Sequence, residues 1–520
     1  MVRLPDSRAL IIGGAVSVFV VTGVMPLFSM LVASVGNAPA SLLVLDARQR
    51  VLLSNSTLLA MTAAALSTLI GVPLGFGLAR MPLRRKELLR VGLVAPVLLP
   101  PYVVALAWVY VGNSAGTVAA MTGRDLFSSW TYSLPAAAVV LALVYYPIVM
   151  LATEVALRQV DPHLEEAGLV AASPDRVLRR ITLPLVAPAI GGAALIVFVL
   201  AISEFGVPAL LRVRVYTTEV FTAFAALFDS GRATALTVPL LIVTAGTSAV
   251  AVALLGSRVI AGHRRVGNGV SIDLLCWRLP IRLLGIGMLA LALVLPTAVL
   301  WAEADGIAEA ARGSWPSIRM SLVLSASGAT LVVLVGAALG YARARIDGRV
   351  GYLADAAWVV LFAVPSTIVG VALIALWNRP GPIGMVYGTV AMLLLAYLAR
   401  FVPVAALVTA ASVRQVHKSQ EEAAAVAGVG WLRTVVAIVI PQVTRGLIAA
   451  WVVAFVFAFG ELGASILVAP PGESTLPIRI YTIIANTPSS TVAALALLQV
   501  AVIAVPLAAS ALYLGTTRRK

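Results

Sequence analysis

The chain has 520 residues, of which 61% are hydrophobic and 11% are charged. A soluble core of this length cannot bury so much apolar surface, so the composition excludes a soluble globular protein and indicates a polytopic membrane protein. The formal net charge of +15 indicates basic loops on one side of a membrane rather than a nucleic-acid partner, and no nucleic acid is expected.

Cysteine and histidine are too sparse to build a redox or metal centre. Cys276 is the only cysteine, so neither an internal disulfide nor a cysteine-based metal cluster can form. His163, His263 and His417 lie far apart in polar loop sequence, where solvated histidines are the expected state. We therefore expect no cofactor and no stable metal site.

Apolar windows of about 20 residues, the length that crosses a bilayer, recur along the chain. The first window follows Arg3 and Arg8 and is longer than the roughly 7–15-residue apolar region of a signal peptide. It is predicted to be a retained first span, although Ala38-Pro39-Ala40 superficially resembles a signal-peptidase site. In chain order the windows lie near residues 9–33, 56–78, 91–113, 133–155, 187–210, 235–256, 284–303, 321–342, 354–377, 386–410, 445–468 and 491–515.

These windows predict an all-α integral membrane protein with about twelve transmembrane helices. Basic residues set its orientation, because positively charged loops stay on the cytoplasmic side. Loops on the other side carry fewer basic residues mixed with acidic ones, such as Arg124 beside Asp125. Both termini are therefore predicted to be cytoplasmic, on the side of Arg84, Arg85, Lys86, Arg90, Arg176, Arg179, Arg180, Arg258, Arg264, Arg265, Arg343, Arg345, Arg349, Arg518, Arg519 and Lys520.

A polar interruption near the middle divides the chain. Residues 257–283 combine glycines with several arginines and are predicted to be a cytoplasmic linker. The division gives two pseudo-symmetric six-helix halves, residues 1–256 and 284–520. Their cores are expected at about 56–256 and 321–515.

Internal similarity supports this division. The segment Leu74–Arg80 resembles Leu339–Arg345 at an offset of 265, and Pro100 and Pro365 share that offset. Later matches lie at an offset of 257, which implies about eight residues fewer in the second half, most simply in the outside loop after Trp377. Because both halves have the same topology, we predict parallel repeats related by an axis along the membrane normal.

The loop between the fourth and fifth spans of each half carries one pattern: E-A-A, three residues, G, nine residues, then I-x-L-P. An Ala-rich acidic segment favours a short helix outside the membrane, a small residue permits a turn, and a second basic helix leads to a proline that starts the next span. One such loop could be an ordinary helical hairpin, but two at equivalent places indicate a functional elbow. The matching residues are Glu165, Glu166, Ala167, Ala171 and Pro184 in the first loop, and Glu422, Ala423, Ala424, Gly428 and Pro441 in the second.

On this alignment Glu165 corresponds to Glu422, at an offset of 257. Glutamates exposed on such an elbow can pair with basic groups of a partner, which gives positional specificity. Three residues depart from the pattern: Glu166 and Ala171 in the first loop and Ile440 in the second.

The two loops resemble the coupling loops of binding-protein-dependent ABC importer permeases. The resemblance covers nearly the whole chain and is to fused permeases, in which one polypeptide supplies both halves. It implies a permease in the lipid of a bacterial-type inner membrane, two copies of a cytoplasmic ATPase docked on the elbows, and an extracytoplasmic substrate-binding protein. The runs Leu99–Trp108, Glu204–Pro208 and Gly460–Ser465 are similar to the ferric-iron branch, with thiamine and 2-aminoethylphosphonate permeases as the alternatives.

A separate ATPase is also indicated by what the sequence lacks. A P-loop needs the run G-K-[ST], because its lysine reaches the phosphates and its hydroxyl group holds magnesium. The lysines are Lys86, Lys418 and Lys520, and none follows a glycine. The chain is therefore expected to be a non-catalytic translocation subunit.

Two glutamates interrupt the predicted fifth and eleventh spans. Glu204 and Glu461 are 257 residues apart, and each precedes a glycine by two positions. Charged groups in spans are costly and usually face an aqueous cavity, so the pair is predicted to line the substrate path and to favour a cation. The alternative is that each is solvated or hydrogen-bonded at the outer end of its helix. Arg400 is expected to extend toward the cytoplasmic face.

Other classes of membrane protein fit less well. An ion-gradient-driven secondary transporter can also have twelve spans in two parallel halves, but it needs no acidic elbow after each fourth span. A channel or a membrane enzyme is disfavoured, because no residue set offers a nucleophile with a base, paired metal ligands or a redox site.

Overall fold

The computed structural model describes residues 7–37, 46–81, 86–125, 127–260, 275–346 and 348–516. Within these ranges the regular structure is helical throughout, as the composition predicts. The α-helices of the first half are α1 (Ser7–Phe19), α2 (Met25–Asn37), α3 (Ala47–Arg80), α4 (Lys86–Val94), α5 (Pro101–Gly112), α6 (Thr117–Thr122), α7 (Ser128–Thr131), α8 (Leu134–Arg158), α9 (Pro162–Ala171), α10 (Pro174–Val177), α11 (Leu183–Ile202), α12 (Gly206–Leu210), α13 (Tyr216–Phe221) and α14 (Ser230–Ile260).

The second half follows a similar order, with an added short helix (Ile307–Gly313) before its long Trp315–Ala344 helix and a 3-10 helix (Pro382–Val386) where the first half has α6 and α7. Five-residue π-helical turns join several neighbouring helices, for example at Val20–Val24 and Ala290–Val294 in the first span of each half. The α-helices are α15 (Leu275–Leu289), α16 (Leu295–Glu303), α17 (Ile307–Gly313), α18 (Trp315–Ala344), α19 (Gly348–Phe362), α20 (Ser366–Trp377), α21 (Ala391–Val413), α22 (Lys418–Val426), α23 (Trp431–Thr434), α24 (Ile440–Phe459), α25 (Ser465–Val468), α26 (Leu476–Ile483) and α27 (Ser489–Thr516).

The described residues contain eleven helices long and apolar enough to cross a membrane, and a twelfth if the bent pair α19 and α20 is counted as one span. This confirms the expectation of about twelve. The pair bends by 91° at Pro365, and Pro100 marks the equivalent break before α5. Proline lacks a backbone N–H and disfavours helix in the residue before it, so each proline ends one helix and caps the next.

Packing divides the chain differently from the sequence repeat. One compact unit contains residues 7–37, 220–241 and 306–516; the other contains residues 46–219, 242–260 and 275–305. In the first unit, α1 and α2 pack against α18 and α20 of the second half; in the other, α15 and α16 pack against α3, α4 and α5. The first span of each half therefore lies on the core of the other half. Most of the predicted linker, residues 261–274, lies outside the described residues.

Glycines allow a close helix crossing at the centre of each unit. In α3, a Cβ atom added at Gly71 would lie 2.8 Å from the carbonyl oxygen of Tyr146, and one at Gly75 would lie 2.5 Å from that of Met150. Gly336 and Gly340 of α18 make the equivalent contact with α21. Both pairs have the small-xxx-small spacing that lets helix backbones approach in membranes, where packing replaces the hydrophobic effect as the driving force.

Replacing Gly75 or Gly340 by alanine is expected to destabilise the protein by about 1–3 kcal/mol, because the added methyl group must push two helix backbones apart. Thermal unfolding in detergent measures the change. Gly246→Ala in α14 is the matched control, since an added Cβ there meets nothing within 4 Å, and it should not lower the midpoint. Equal midpoints for all three variants would contradict the close crossing.

Candidate coupling elbows and path residues

Each elbow consists of a short helix, a turn and a helix that continues into a span. In the first elbow the Asp161 carboxylate accepts a hydrogen bond from the His163 N–H at 3.0 Å and caps α9. In the second, Nδ1 of His417 accepts from the Ser419 N–H at 3.3 Å and caps α22. These caps fix where each helix begins, because the first backbone N–H groups of a helix lack partners within it.

Glu165 is buried, so the expectation that it is exposed for a partner is wrong. Its Oε2 atom lies 2.8 Å from the Arg80 guanidinium, and its Oε1 atom accepts a hydrogen bond of 2.9 Å from Thr182. The side chains of Arg80 and Glu165 are 2% and 0% exposed. Burial raises the pKa of Glu165, while Thr182 and the Arg80 charge act in the opposite direction. The carboxylate therefore joins the elbow to α3.

In the second elbow the equivalent residue is Glu421, not Glu422. Glu421 forms an ion pair with Arg345 and accepts a hydrogen bond of 2.7 Å from the Tyr341 hydroxyl group. Glu422 is exposed. Arg345 is the repeat partner of Arg80 at the offset of 265, so both halves make the same contact. The alignment of Glu165 with Glu422 was therefore wrong by one residue.

The shift has a structural cause in the turn. The offset is 256 from Pro147 and Pro403 up to the E-E-A runs, and 257 beyond Gly428. Gly428 has φ of +75°, a left-handed conformation that suits glycine and ends α22. The first loop instead passes through Ala172 in an extended conformation. Gly428 is thus an extra residue in the second turn.

The outer faces of both elbows are alike. Glu166, Ala167 and Ala171 are exposed in the first elbow, and Glu422 and Ala423 in the second, whereas Ala424 is buried. The sequence reasoning missed two valines at an offset of 256, Val170 and Val426, which are 91% and 90% exposed. Each elbow therefore presents an acidic residue and a protruding apolar side chain.

Pro184 and Pro441 lie in the first turn of α11 and α24, as expected of prolines that start a helix, but each candidate span begins before its proline. The candidate spans run from Pro174 to Ile202 and from Trp431 to Phe459. Each proline lies inside its span, in the second position after a π turn, Leu178–Thr182 or Val435–Val439. A π turn carries an extra residue and changes the local backbone pairing, which accommodates a proline within a continuous helix.

The two glutamates assigned to the path lie just beyond the ends of α11 and α24, each before a short helix. The Glu204 carboxylate accepts a hydrogen bond from the Gly206 N–H at 3.0 Å and from the Tyr145 hydroxyl group at 3.3 Å. Glu461 is 6% exposed, accepts from the Ala464 N–H at 2.8 Å and forms an ion pair with Arg400. Arg400 therefore turns toward Glu461 instead of extending to the cytoplasmic face.

This pairing makes the two positions chemically different. At the offset of 256, Arg400 corresponds to Val144 in the first half, so this position carries a cation in the second half and an apolar side chain in the first. The argument that two similar carboxylates attract a cation does not apply at Glu461, because Arg400 neutralises it. Whether either glutamate lines the substrate path stays a prediction.

Two buried acidic residues, each between two arginines, also differ in position between the halves. In the first half Glu154 of α8 is buried between Arg90 and Arg158, with contacts of 2.8 and 2.5 Å. In the second half Asp355, at the position of Arg90, is buried between Arg343 and Arg414, with contacts of 2.5 and 3.1 Å. The buried acidic residue thus lies in the fourth span, α8, of the first half and in the bent span, at α19, of the second. Each cluster still places one carboxylate between two arginines.

Fold and elbows together define a polytopic membrane protein built from two repeats, each with a two-helix elbow. The family described as the binding-protein-dependent transport system inner membrane component matches residues 71–263 and 332–519, more than half of the chain. The chain belongs to this family. Both matched segments contain one elbow and the glutamate that follows it.

Individual relatives cover most of the chain at low identity. FbpB 1 of Haemophilus influenzae is 25% identical over 472 residues, which is 83% of this chain and 71% of that protein. The ferric transport system permease protein FbpB of Actinobacillus pleuropneumoniae is 24% identical over 79% of this chain and 64% of its own length. The molybdenum transport system permease protein ModB of Mycobacterium tuberculosis is 34% identical, but over 29% of this chain and 58% of its own length.

Charge reversal separates Glu165 and Glu421, which pair with arginines, from their exposed neighbours. Glu165→Arg places a second cation beside Arg80 and should cost about 3–5 kcal/mol, enough to reduce the yield of folded, membrane-inserted protein. Glu166→Arg, one residue further on, should leave that yield unchanged. The yield of monodisperse protein after extraction measures the difference, and the pair Glu421→Arg and Glu422→Arg repeats it in the second half. A lower yield for the exposed positions would contradict the assignment.

Proposed function

We propose that this chain is the permease of an ATP-driven importer of ferric iron, with ATP hydrolysis supplied by a separate cytoplasmic subunit. The observation that carries the proposal is the pair of elbows, each anchored to a core span and each with a free outer face. Ferric iron is favoured as cargo because relatives named as ferric or Fe(3+) transport permeases match along most of the chain. Relatives named for molybdenum or 2-aminoethylphosphonate match over about a third of it.

The outer face of each elbow suits a protein partner. An exposed valine at the tip offers apolar area that a partner can bury. Glu166 or Glu422, one helical turn before it, offers a charge that can fix the position of the partner on the elbow. Two such faces at equivalent positions fit two copies of one ATPase. In this proposal the elbows lie on the cytoplasmic side, with both termini, because the loops on that side are basic.

Val170→Glu together with Val426→Glu should reduce the ATPase subunit that co-purifies with the membrane protein by about tenfold or more, because each change places a charge where the interface is apolar. Quantitative pull-down from membranes measures the loss. Met121→Glu is the control: Met121 is 82% exposed, lies outside both elbows and should bind ATPase normally. Retention of the ATPase by the valine variant would refute the elbows as docking sites.

The proposed orientation can be read from both elbows at once. In a chain with Cys276→Ser, single cysteines at Ser173 and Gly430, both exposed, should react with an impermeant thiol reagent only in inside-out vesicles. Both positions begin the second helix of an elbow. Labelling of either cysteine in intact cells would place that elbow outside and overturn the topology.

We also propose that Glu204 lies on the path taken by the cargo. Glu204→Gln keeps the side-chain shape and removes the charge, so it should lower ferric-ion uptake in reconstituted vesicles while the protein still assembles. Glu461→Gln instead leaves Arg400 without its carboxylate partner and is expected to lower stability as well. Unchanged uptake by the Glu204 variant, together with unchanged pH dependence, would remove Glu204 from the path.

A further inference from the structure

Arg80, the last residue of α3, is bound to two other elements. One of its terminal nitrogens donates a hydrogen bond of 2.9 Å to the carbonyl oxygen of Leu157 near the end of α8. The same nitrogen lies 2.8 Å from the Glu165 carboxylate of α9. The Arg80 side chain is 2% exposed. Its contacts hold α3, which is the first core span of the first half, together with α8 and the elbow in one arrangement.

Arg345 makes the same three-way connection in the second half. It forms the ion pair with Glu421 of α22 and donates hydrogen bonds of 3.4 Å to the carbonyl oxygen of Val416, just beyond α21. Tyr341, one turn earlier on α18, adds a hydrogen bond to Glu421 and accepts one of 3.0 Å from Trp431 of α23. The second elbow is therefore tied to α18 through both of its helices.

The two connections occur despite different spacing along the chain. The arginines are 265 residues apart and the glutamates 256 residues apart, so the second half reaches the same contact with nine fewer residues between arginine and glutamate. Short loops could have joined the elbows to their spans without any buried charge. Because burying ions costs free energy that only close partners recover, the repetition points to a role in holding the elbow.

We propose that Arg80 and Arg345 are positioning residues that make each elbow rigid with the first core span of its half. Movement of a docked ATPase then displaces α3 and α18 instead of bending the loop. The glutamates are internal anchors, and docking belongs to the exposed residues beside them. This inference rests on the proposed function, since it assumes that the ATPase binds the elbows.

The test uses the full complex in proteoliposomes with its ATPase and binding protein. Glu165→Gln with Glu421→Gln removes both ion pairs while leaving a side chain that can still accept from Thr182 and Tyr341. ATPase co-purification and basal ATP hydrolysis should be retained, whereas ferric ions imported per ATP hydrolysed should fall at least about fivefold, the lower end of typical coupling between sites. Exposed Glu87→Gln is the control and should change neither quantity.

Exchange of the charges within each ion pair gives a second test of the positioning role. Exchanging the residues within each pair, with Arg80→Glu and Glu165→Arg in one half and Arg345→Glu and Glu421→Arg in the other, should restore part of the lost coupling. If the double Gln variant fails to insert, Glu165→Gln or Glu421→Gln alone leaves one elbow intact and should lower the ratio by a smaller factor.

Three results would overturn the positioning role: normal coupling in the Gln variants, an exchanged chain that couples no better than they do, or loss of ATPase binding in the Gln variants. The last result would make Glu165 and Glu421 part of docking itself. Failure of the proposed docking sites is a separate outcome, because it appears as retained ATPase in the Val170 and Val426 variants with the ion pairs intact.

Discussion

An ionised carboxylate that is shielded from water needs a cation or hydrogen-bond donors close by, and this constraint decides the geometry of both elbows. Glu165 has no access to solvent, so its charge is stable only beside Arg80. The arginine is in turn fixed by the carbonyl group of Leu157. The acidic residue predicted to meet a partner is therefore used internally. What remains for a partner is the outer face, where Val170 and Glu166 protrude.

The two halves share a scaffold but differ in chemistry. The glycine crossings, the proline breaks and the anchored elbows recur at equivalent positions, as expected of sequence repeats that must solve the same packing problem. The charges near the core do not recur in the same way: Glu461 is paired with Arg400, whereas Val144 stands at the corresponding place in the first half. The two halves of a fused chain can differ in this manner because each half has its own stretch of sequence, whereas two copies of one subunit would be identical.

Patterns carried by many residues could be predicted from the sequence. The number of spans, the two-fold repeat and the location of the elbows follow from apolar length, offset and loop composition, none of which needs side-chain detail. The choice between Glu421 and Glu422 goes wrong when the loops are aligned on Ala171 and Gly428, because Gly428 is an extra residue and the arginine that decides the pairing lies far along the chain. The repeated E-E-A run at an offset of 256 was the available signal. Similarly, the π turn before Pro184 leaves no mark in composition, so the composition does not show that the span continues back to Pro174.

The central claim is that each elbow moves as one body with its core span. The distance between spin labels at Ala171 in the first elbow and Leu69 in α3 tests it directly, since both positions are exposed and lie in the same compact unit. The distance is measured by pulsed electron paramagnetic resonance in the full complex, in a chain with Cys276→Ser. It should be the same without nucleotide and with trapped ATP. A distance distribution that shifts or broadens between these states would show that the elbow bends on its span, and would contradict the account.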